Sequence, residues 1–210
     1  YLFEAEEYED FVRLEPRAKV YFHRWFGSKE FLQGKIRYCL WIGDAEPQDL
    51  RSMPHVLDRI ESVRKYRRGE IGPRKKPDKA KAMNAGTVKL AATPTRFHVV
   101  NMPSSDYLVV PKVSSERRDY IPIGYMTPKE LSSDLVFLIS GATIYHFGGL
   151  HSAMHTAWVK QVCGRLKSDF RYSAKLVYNN YPWPEPTDAQ RAKVEQAAQA
   201  VLDARDAHPD

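Results

Sequence analysis

Apolar and polar positions change rhythm several times along the chain, and each change marks an expected element. Over residues 4–14 acidic side chains are interrupted by Tyr8, Phe11, Val12 and Leu14, the spacing of a short amphipathic helix that Pro16 ends. A second short helical piece is expected from Arg17 to Phe26, stopped by Gly27. From Lys35 to Ile42 the period drops to two, with Ile36, Tyr38, Leu40 and Ile42 on one face and Arg37, Cys39 and Trp41 on the other, as in a strand. Pro54 suits the first turn of a helix in which Val56, Ile60 and Val63 recur on one side. Arg59, Arg64, Arg67 and Arg68 then lie outside, and Gly69 ends the helix.

Residues 69–95 combine Gly, Pro, Lys and small side chains with little periodicity, so a mobile basic loop is expected there. Beyond it, Arg96–Val100, Tyr107–Val110, Tyr120–Tyr125, Leu135–Ile139 and Thr143–Phe147 are short, β-branched or aromatic, and separated by Pro, Ser and Gly. They predict one curved mixed sheet. Leu150–Cys163 carries Met154, Trp158 and Val162 at helical spacing, with Gly164 placed for a left-handed cap. Lys175–Tyr178 reads as a last strand, after which Pro182, Pro184 and Pro186 hold the chain extended. Thr187 and Gln190 form the signature of a capping box, and Val194, Ala197, Ala198 and Val201 make an apolar stripe behind it.

The expected fold is therefore α+β: a curved mixed β-sheet with packed helices, an N-terminal helical and strand segment, and a C-terminal helix. Its expected organisation is residues 1–68 packing on a recognition core, the loop 69–95, the core 96–186, and the helix 187–210.

With 210 residues, 43% of them hydrophobic, the chain can bury a core as one large domain or two small ones. Lys and Arg number 32 against 26 Asp and Glu, a net charge of +6, which favours a polyanionic partner. The charge is uneven: residues 1–15 hold six acids and one base, whereas Arg64–Lys81 holds nine bases and two acids. Cys39 and Cys163 are too few and too distant for a disulfide framework and read as reduced thiols. No apolar run approaches membrane-spanning length and no leader opens the chain, so a cytoplasmic protein without membrane contact is expected. The start at Tyr1 suggests a fragment of a longer polypeptide.

Most enzyme chemistries lack their residues. His151 and His155 lie four apart, but neither a glutamate base nor a third ligand accompanies them, so two packed or surface histidines are favoured over a metal-dependent hydrolase. There is no Gly-rich phosphate loop and no Gly-x-Ser-x-Gly elbow, and Gly148-Gly149 is too short to cradle a dinucleotide. Cys163 near Arg165 and Lys167 reads as a core residue more readily than as a nucleophile, since no positioned base accompanies it.

Two basic clusters remain. Lys160, Arg165, Lys167, Arg171 and Lys175 are interleaved with Ser168, Phe170, Tyr172 and Ser173, a mixture that neutralises and hydrogen-bonds phosphates. Lys160, Arg165, Lys167, Ser168, Arg171 and Lys175 are the candidate phosphate contacts. In Ser114-Ser115-Glu116-Arg117-Arg118-Asp119, Arg117 and Arg118 either grip guanine or pair with Glu116 and Asp119, while those acids can accept from cytosine's amino group. These four are the candidate base contacts. Trp158, Trp183, Tyr178 and Tyr181 suit packing better than base stacking. Asn179 and Asn180 suit adenine reading and a turn equally.

The order of several runs carries a resemblance. Leu108 through Ser115-Glu116-Arg117-Arg118 and Tyr120-Ile121-Pro122-Ile123-Gly124 resembles the C-terminal part of the MmeI-like family of combined restriction and modification enzymes. So do Tyr145-His146-Phe147-Gly148, His155-Thr156-Ala157-Trp158, Gly164 to Ser173, and Val177-Tyr178-Asn179-Asn180-Tyr181-Pro182-Trp183-Pro184, which look like its target-recognition domain. Arg37-Tyr38-Cys39-Leu40-Trp41 and the helix up to Arg68 fit the segment that precedes it.

The resemblance implies sequence-specific recognition of duplex DNA on behalf of a methyltransferase domain of the same polypeptide, which uses S-adenosylmethionine to methylate adenine. This chain shows no Phe-x-Gly-x-Gly cofactor loop, no Asn-Pro-Pro-Tyr or Asn-Pro-Pro-Phe clamp, and no nuclease carboxylate-x-Lys site, so no cofactor is expected within it. An RNA-binding module, suggested by aromatics beside cations, and a protein-docking module are the alternatives.

Overall fold

The computed structural model describes residues 1–98, 100 and 103–208. In chain order its elements are β1 (Leu2–Glu4), α1 (Ala5–Leu14), a 3₁₀ turn (Pro16–Tyr21), β2 (Phe22–Phe26), α2 (Ser28–Leu32), β3 (Arg37–Leu40), α3 (Pro47–Arg51), α4 (Pro54–Arg68), α5 (Ala85–Lys89) and a 3₁₀ turn (Leu90–Ala92). There follow β4 (Tyr107–Pro111), β5 (Val113–Ser114), β6 (Gly124–Met126), β7 (Glu130–Ser132), β8 (Val136–Ser140), α6 (Ile144–Leu150), α7 (Ala153–Val162), β9 (Gly164–Leu166), β10 (Asp169–Arg171), a π-helical turn (Ala174–Tyr178) and α8 (Asp188–Ala207). The fold is α+β, as the alternation of periods implies. The chain forms two compact units, Tyr1–Trp25 with Ile36–Met102, and Phe26–Lys35 with Pro103–Asp210. Residues 26–35 thus group with the later unit, not with the N-terminal segment they adjoin in sequence.

In the first unit β3 pairs antiparallel with β1 and β2, placing Cys39 opposite Leu2 and His23. Phe3, Phe11, Leu40, Ile42, Met53, Val56 and Ile60 form its core. Phe22 meets Phe3, Tyr8 and Phe11 edge to face, with ring centroids 5.1, 4.9 and 5.8 Å away. These contacts explain why residues 22–26, expected to continue a helix, are instead a strand. Aromatic side chains gain more from a sheet face over that cluster than from another helical turn. Gly69 ends α4 in the left-handed region at φ 77, as its position suggested.

The segment 69–95, expected to be all loop, contains α5, whose N-terminus Asn84 caps by accepting from the Thr87 amide at 2.8 Å. Arg67 anchors the turn beyond it. Its guanidinium donates to the carbonyls of Leu90, Thr93, Pro94 and Arg96 at 2.7–3.2 Å. Residues 96, 97, 98 and 100 are not in a strand, and Val99 of that expected strand lies outside the described residues.

The second unit replaces the expected single mixed sheet with small antiparallel ones. β4 lies between β6 and β8, and β10 between β5 and β9. Strands of two to five residues, broken by prolines, cannot sustain one continuous ladder. Pro122 likewise confines the expected strand 120–125 to its end, although Ile121 and Ile123 are buried. Leu108, Val110, Ile123, Phe147, Leu150, Val159, Phe170 and Val177 form the core, covered by Ala198, Val201 and Leu202 of α8, with Val194 beside Gly148. Ala197 of the expected stripe is exposed. Both hydrogen bonds of the Thr187–Gln190 capping box are present.

Three further expectations give way to local hydrogen bonding. Thr143–Phe147 is not a strand but the start of α6, because Thr143 caps it and the His146 ring accepts from the Thr143 amide at 3.0 Å. Its Gly148 and Gly149 lie inside that helix. The helix expected over Leu150–Cys163 is broken at Ser152, whose hydroxyl donates to Gly149 and accepts from the His155 amide, starting α7 afresh. Lys175–Tyr178 lies in a π-helical turn, with the Ser173 side chain accepting from Leu176 and Asn180 donating to the carbonyls of Lys175 and Leu176. Asn180 therefore serves a turn.

Candidate nucleic-acid interface

Most of the candidate contacts lie on or beside the sheet β5–β10–β9, with Lys160 on α7 and Lys175 on the π-helical turn. Arg165 stands opposite Phe170, and Ser114 stands on the other side of Phe170. Phe170 and Ser114 are buried, so they tie this small sheet to the core. All three residues of β9 are exposed, as are Lys167 and Ser168 in the connection to β10. The β9–β10 hairpin is a ribbon whose β10 side is anchored and whose β9 side and tip meet solvent. Gly164, expected as a left-handed helix cap, has no positive φ and opens β9 instead. Lys167, at φ 56, takes the left-handed conformation at the tip.

Register decides which cations share a face. Arg165 is on the Phe170 side, its guanidinium carbon 4.4 Å from that ring centroid, and it donates to the Ser168 carbonyl at 3.0 Å. It also pairs with Glu116 at 3.7 Å. Arg171 pairs with Gly164 in the ladder, so it leaves from the opposite face. Arg165 and Arg171 are thus not one clamp on one side but the two sides of one ribbon.

The loop after β5 carries the other cluster. The Arg117 amide donates to the Ser115 hydroxyl and the Arg118 amide to the Ser115 carbonyl, both at 3.3 Å, folding the loop into a turn. Glu116, Arg117, Arg118 and Asp119 are all exposed on it. Glu116 reaches Arg165, so the structure joins the two clusters that sequence places about 50 residues apart. Asp119 and Lys160 share a shallow recess of about 420 Å³ with Tyr120, Ala153, Thr156 and Ala157. Lys175 sits exposed on the π-helical turn, beyond the hairpin in sequence.

Beneath the ribbon the chemistry is structural. Tyr172, the residue after β10, shares a 3.0 Å hydrogen bond between its hydroxyl and the buried ring of His155. Burial holds His155 down at about 4 and raises the Tyr172 phenol. His151 contacts the Ile121 carbonyl at 3.2 Å and Arg205 at 3.2 Å. The two histidines therefore have separate partners, and among the described residues no group of three or more His, Cys, Asp or Glu gathers for a metal. Trp158 donates to the Val177 carbonyl, and Tyr181 meets Trp183 edge to face, so these aromatics are packed. Burial raises both thiols, Cys39 to about 12, which leaves neither activated. Sequence reasoning missed His155 and Tyr172 as the ribbon's anchor, since only folding brings them together.

A rigid frame that presents cations on a ribbon and a turn is the arrangement of a recognition module. Residues 1–185 match the family described as MmeI, target recognition domain, and the chain belongs to that family. It is 39% identical over 205 residues to DNA methyltransferase A of Bacillus subtilis (strain 168), covering 98% of this chain and 22% of that protein. Its fold superposes on the Type IIL restriction-modification enzyme MmeI, solved in complex with DNA, with a TM-score of 0.88 and 39% identity. That match covers 100% of this chain and 26% of MmeI, so the chain spans about a quarter of the length of these relatives. Among the described residues no helix is long and apolar enough to cross a membrane.

Proposed function

We propose that the chain binds duplex DNA sequence-specifically and supplies site choice to an adenine-specific methyltransferase or restriction-modification polypeptide. The likeness to MmeI, a protein solved with DNA, over the whole chain is the observation that carries this reading. The exposed β9–β10 ribbon fits it physically, because the major groove admits a two-stranded ribbon and its walls then face both sides. Arg171 and Lys167 are exposed toward phosphate or base edges, and Lys160, Ser168 and Lys175 toward the phosphates beside them. Arg117 and Arg118 are presented to base edges by the Ser115 turn. Arg165, held by Glu116, sets the ribbon against that turn. The methyltransferase domain of the same polypeptide, with S-adenosylmethionine as its methyl donor, is the partner of this reading, and the cytoplasm its compartment.

Selection of duplexes from a random pool by the chain tests it. A single short enriched motif, with single-stranded RNA competing poorly, is the expected result. Preferential capture of single strands would instead favour an RNA-binding module, and no enrichment at low salt would overturn sequence recognition.

A further inference from the structure

The cations of Arg64–Lys75, Lys65 excepted, are engaged within the first unit. Arg64 pairs with Glu61, Arg68 with Glu70, Arg74 with Glu7 and Lys75 with Glu4, while Arg67 is spent on backbone carbonyls. Lys76, Lys79 and Lys81 differ. They are exposed, and no carboxylate of the described residues lies within ion-pair distance of them.

These three lysines sit on one folded lobe. The Gly72 amide donates to the Pro77 carbonyl at 2.7 Å, Lys76 to Pro73 at 2.6 Å, and Lys79 to Lys76 at 3.1 Å, so the chain doubles back on itself. A methyl group on Gly72 would strike the Lys76 carbonyl oxygen and come within 2.7 Å of that of Lys79, and one on Gly69 would lie 2.6 Å from that of Lys81. Only glycine allows this approach, and it gathers the backbones of all three lysines around two neighbouring positions. Pro73 and Pro77 stiffen the lobe. Arg74 pins it, bridging to Glu7 of α1 with its guanidinium 5.4 Å from the Phe3 ring centroid, and Lys75 adds the pair to Glu4.

Two cations are thus consumed in holding the lobe, and the next three have no ion pair among the described residues, with Asp78 the lobe's single acid beside them. Holding like charges close costs energy that a polyanion relieves, and a folded lobe loses little entropy when it binds. Lysine ammonium groups are compact charges without the planar fork that reads a guanine edge. Resting on the reading of the chain as a duplex binder, we infer that the lobe Gly72–Lys81 is a sequence-independent contact of the first unit to the DNA phosphate backbone.

The test compares the full chain with its K76A/K79A/K81A variant in fluorescence-anisotropy titrations across a salt series. One labelled duplex carries the motif selected by the wild type and another has that motif scrambled. The slope of log affinity against log salt should fall by about 2 to 3, at roughly 0.9 per lost phosphate contact, with both duplexes weakened by the same factor. The K76R/K79R/K81R variant should restore the slope, and the thermal midpoint should stay at the wild-type value. A wild-type slope in the alanine variant, or weakening of one duplex only, overturns the inference while leaving duplex recognition intact. Failure of the wild-type chain to bind either duplex overturns both.

Discussion

Arg67 and Arg171 carry the same guanidinium in regions of similar basic density, yet they are used in opposite ways. Arg67 reaches four backbone carbonyls and holds the turn after α5 against α4. Arg171 is exposed on a three-residue strand and has no ion pair among the described residues. Across Arg64–Lys81 five of the nine cations serve the fold, and among the described residues Lys65 of α4 and the three lysines of one lobe have no ion pair. Around the β9–β10 ribbon the proportion is reversed, with Arg165 committed to Glu116 and Phe170 while Lys160, Lys167 and Arg171 are exposed. Charge density along a chain therefore measures supply, and the partners of each cation decide what is available for a ligand.

The strongest break of this contrast comes from acid. His155 holds Tyr172 beneath the ribbon, and burial lowers its folded value to about 4 against 6.5 for an ordinary imidazole. A depressed folded value means that stability is fully present above pH 6.5 and is lost as pH falls through about 4. Denaturant unfolding at pH 7 and pH 4 should show an acid loss larger in the wild type than in His155→Gln, by on the order of 3 kcal/mol. Equal acid losses in the two would dissociate His155 from the anchor.

Arg67→Ala comes next. It leaves four carbonyls without their shared donor and should cost about 2 kcal/mol in urea unfolding, with Arg67→Lys rescuing little because an ammonium lacks the fork. A cost below about 0.5 kcal/mol, the range of plain surface changes, would place Arg67 with the free cations.

Smaller still in stability, but larger in binding, is the pair across the ribbon. Arg171→Ala should change unfolding free energy by less than about 0.5 kcal/mol while reducing the salt slope of duplex binding by about 0.9. Arg165→Ala should instead broaden the selected motif, since it loosens the ribbon from the Ser115 turn. Identical effects from both variants would erase the distinction between the faces. Last, Lys167→Gly should raise stability by a few tenths of a kcal/mol, as the left-handed tip loses its Cβ strain, and still lower the salt slope. A stability loss there would show that the lysine side chain packs at the tip.

The elements with their own end signals are legible in the sequence. Pro16, Pro54, Gly69 and the Thr187–Gln190 box bound their helices where the sequence places them, and β4 and β8 follow from β-branched and aromatic content. The misassigned segments share a cause. Thr143–Phe147 and Lys175–Tyr178 have strand-like composition, but Thr143, His146, Ser173 and Asn180 supply hydrogen bonds that make tight turns of backbone more favourable. Residues 22–26 show the reverse, a helical spacing overruled by an aromatic cluster drawn from α1 and β1.

The candidate site was legible as a set of residue types and as a family likeness. Its geometry was not, because Glu116 meets Arg165 only through the placing of β10 between β5 and β9. Local spacing and the order of side chains sufficed for the helices, the fold class and the family, since caps and periodicity act within a few residues. Which cations are spent and which are presented depended on ladder register and long-range contacts, whose energies arise only when distant segments exclude water together.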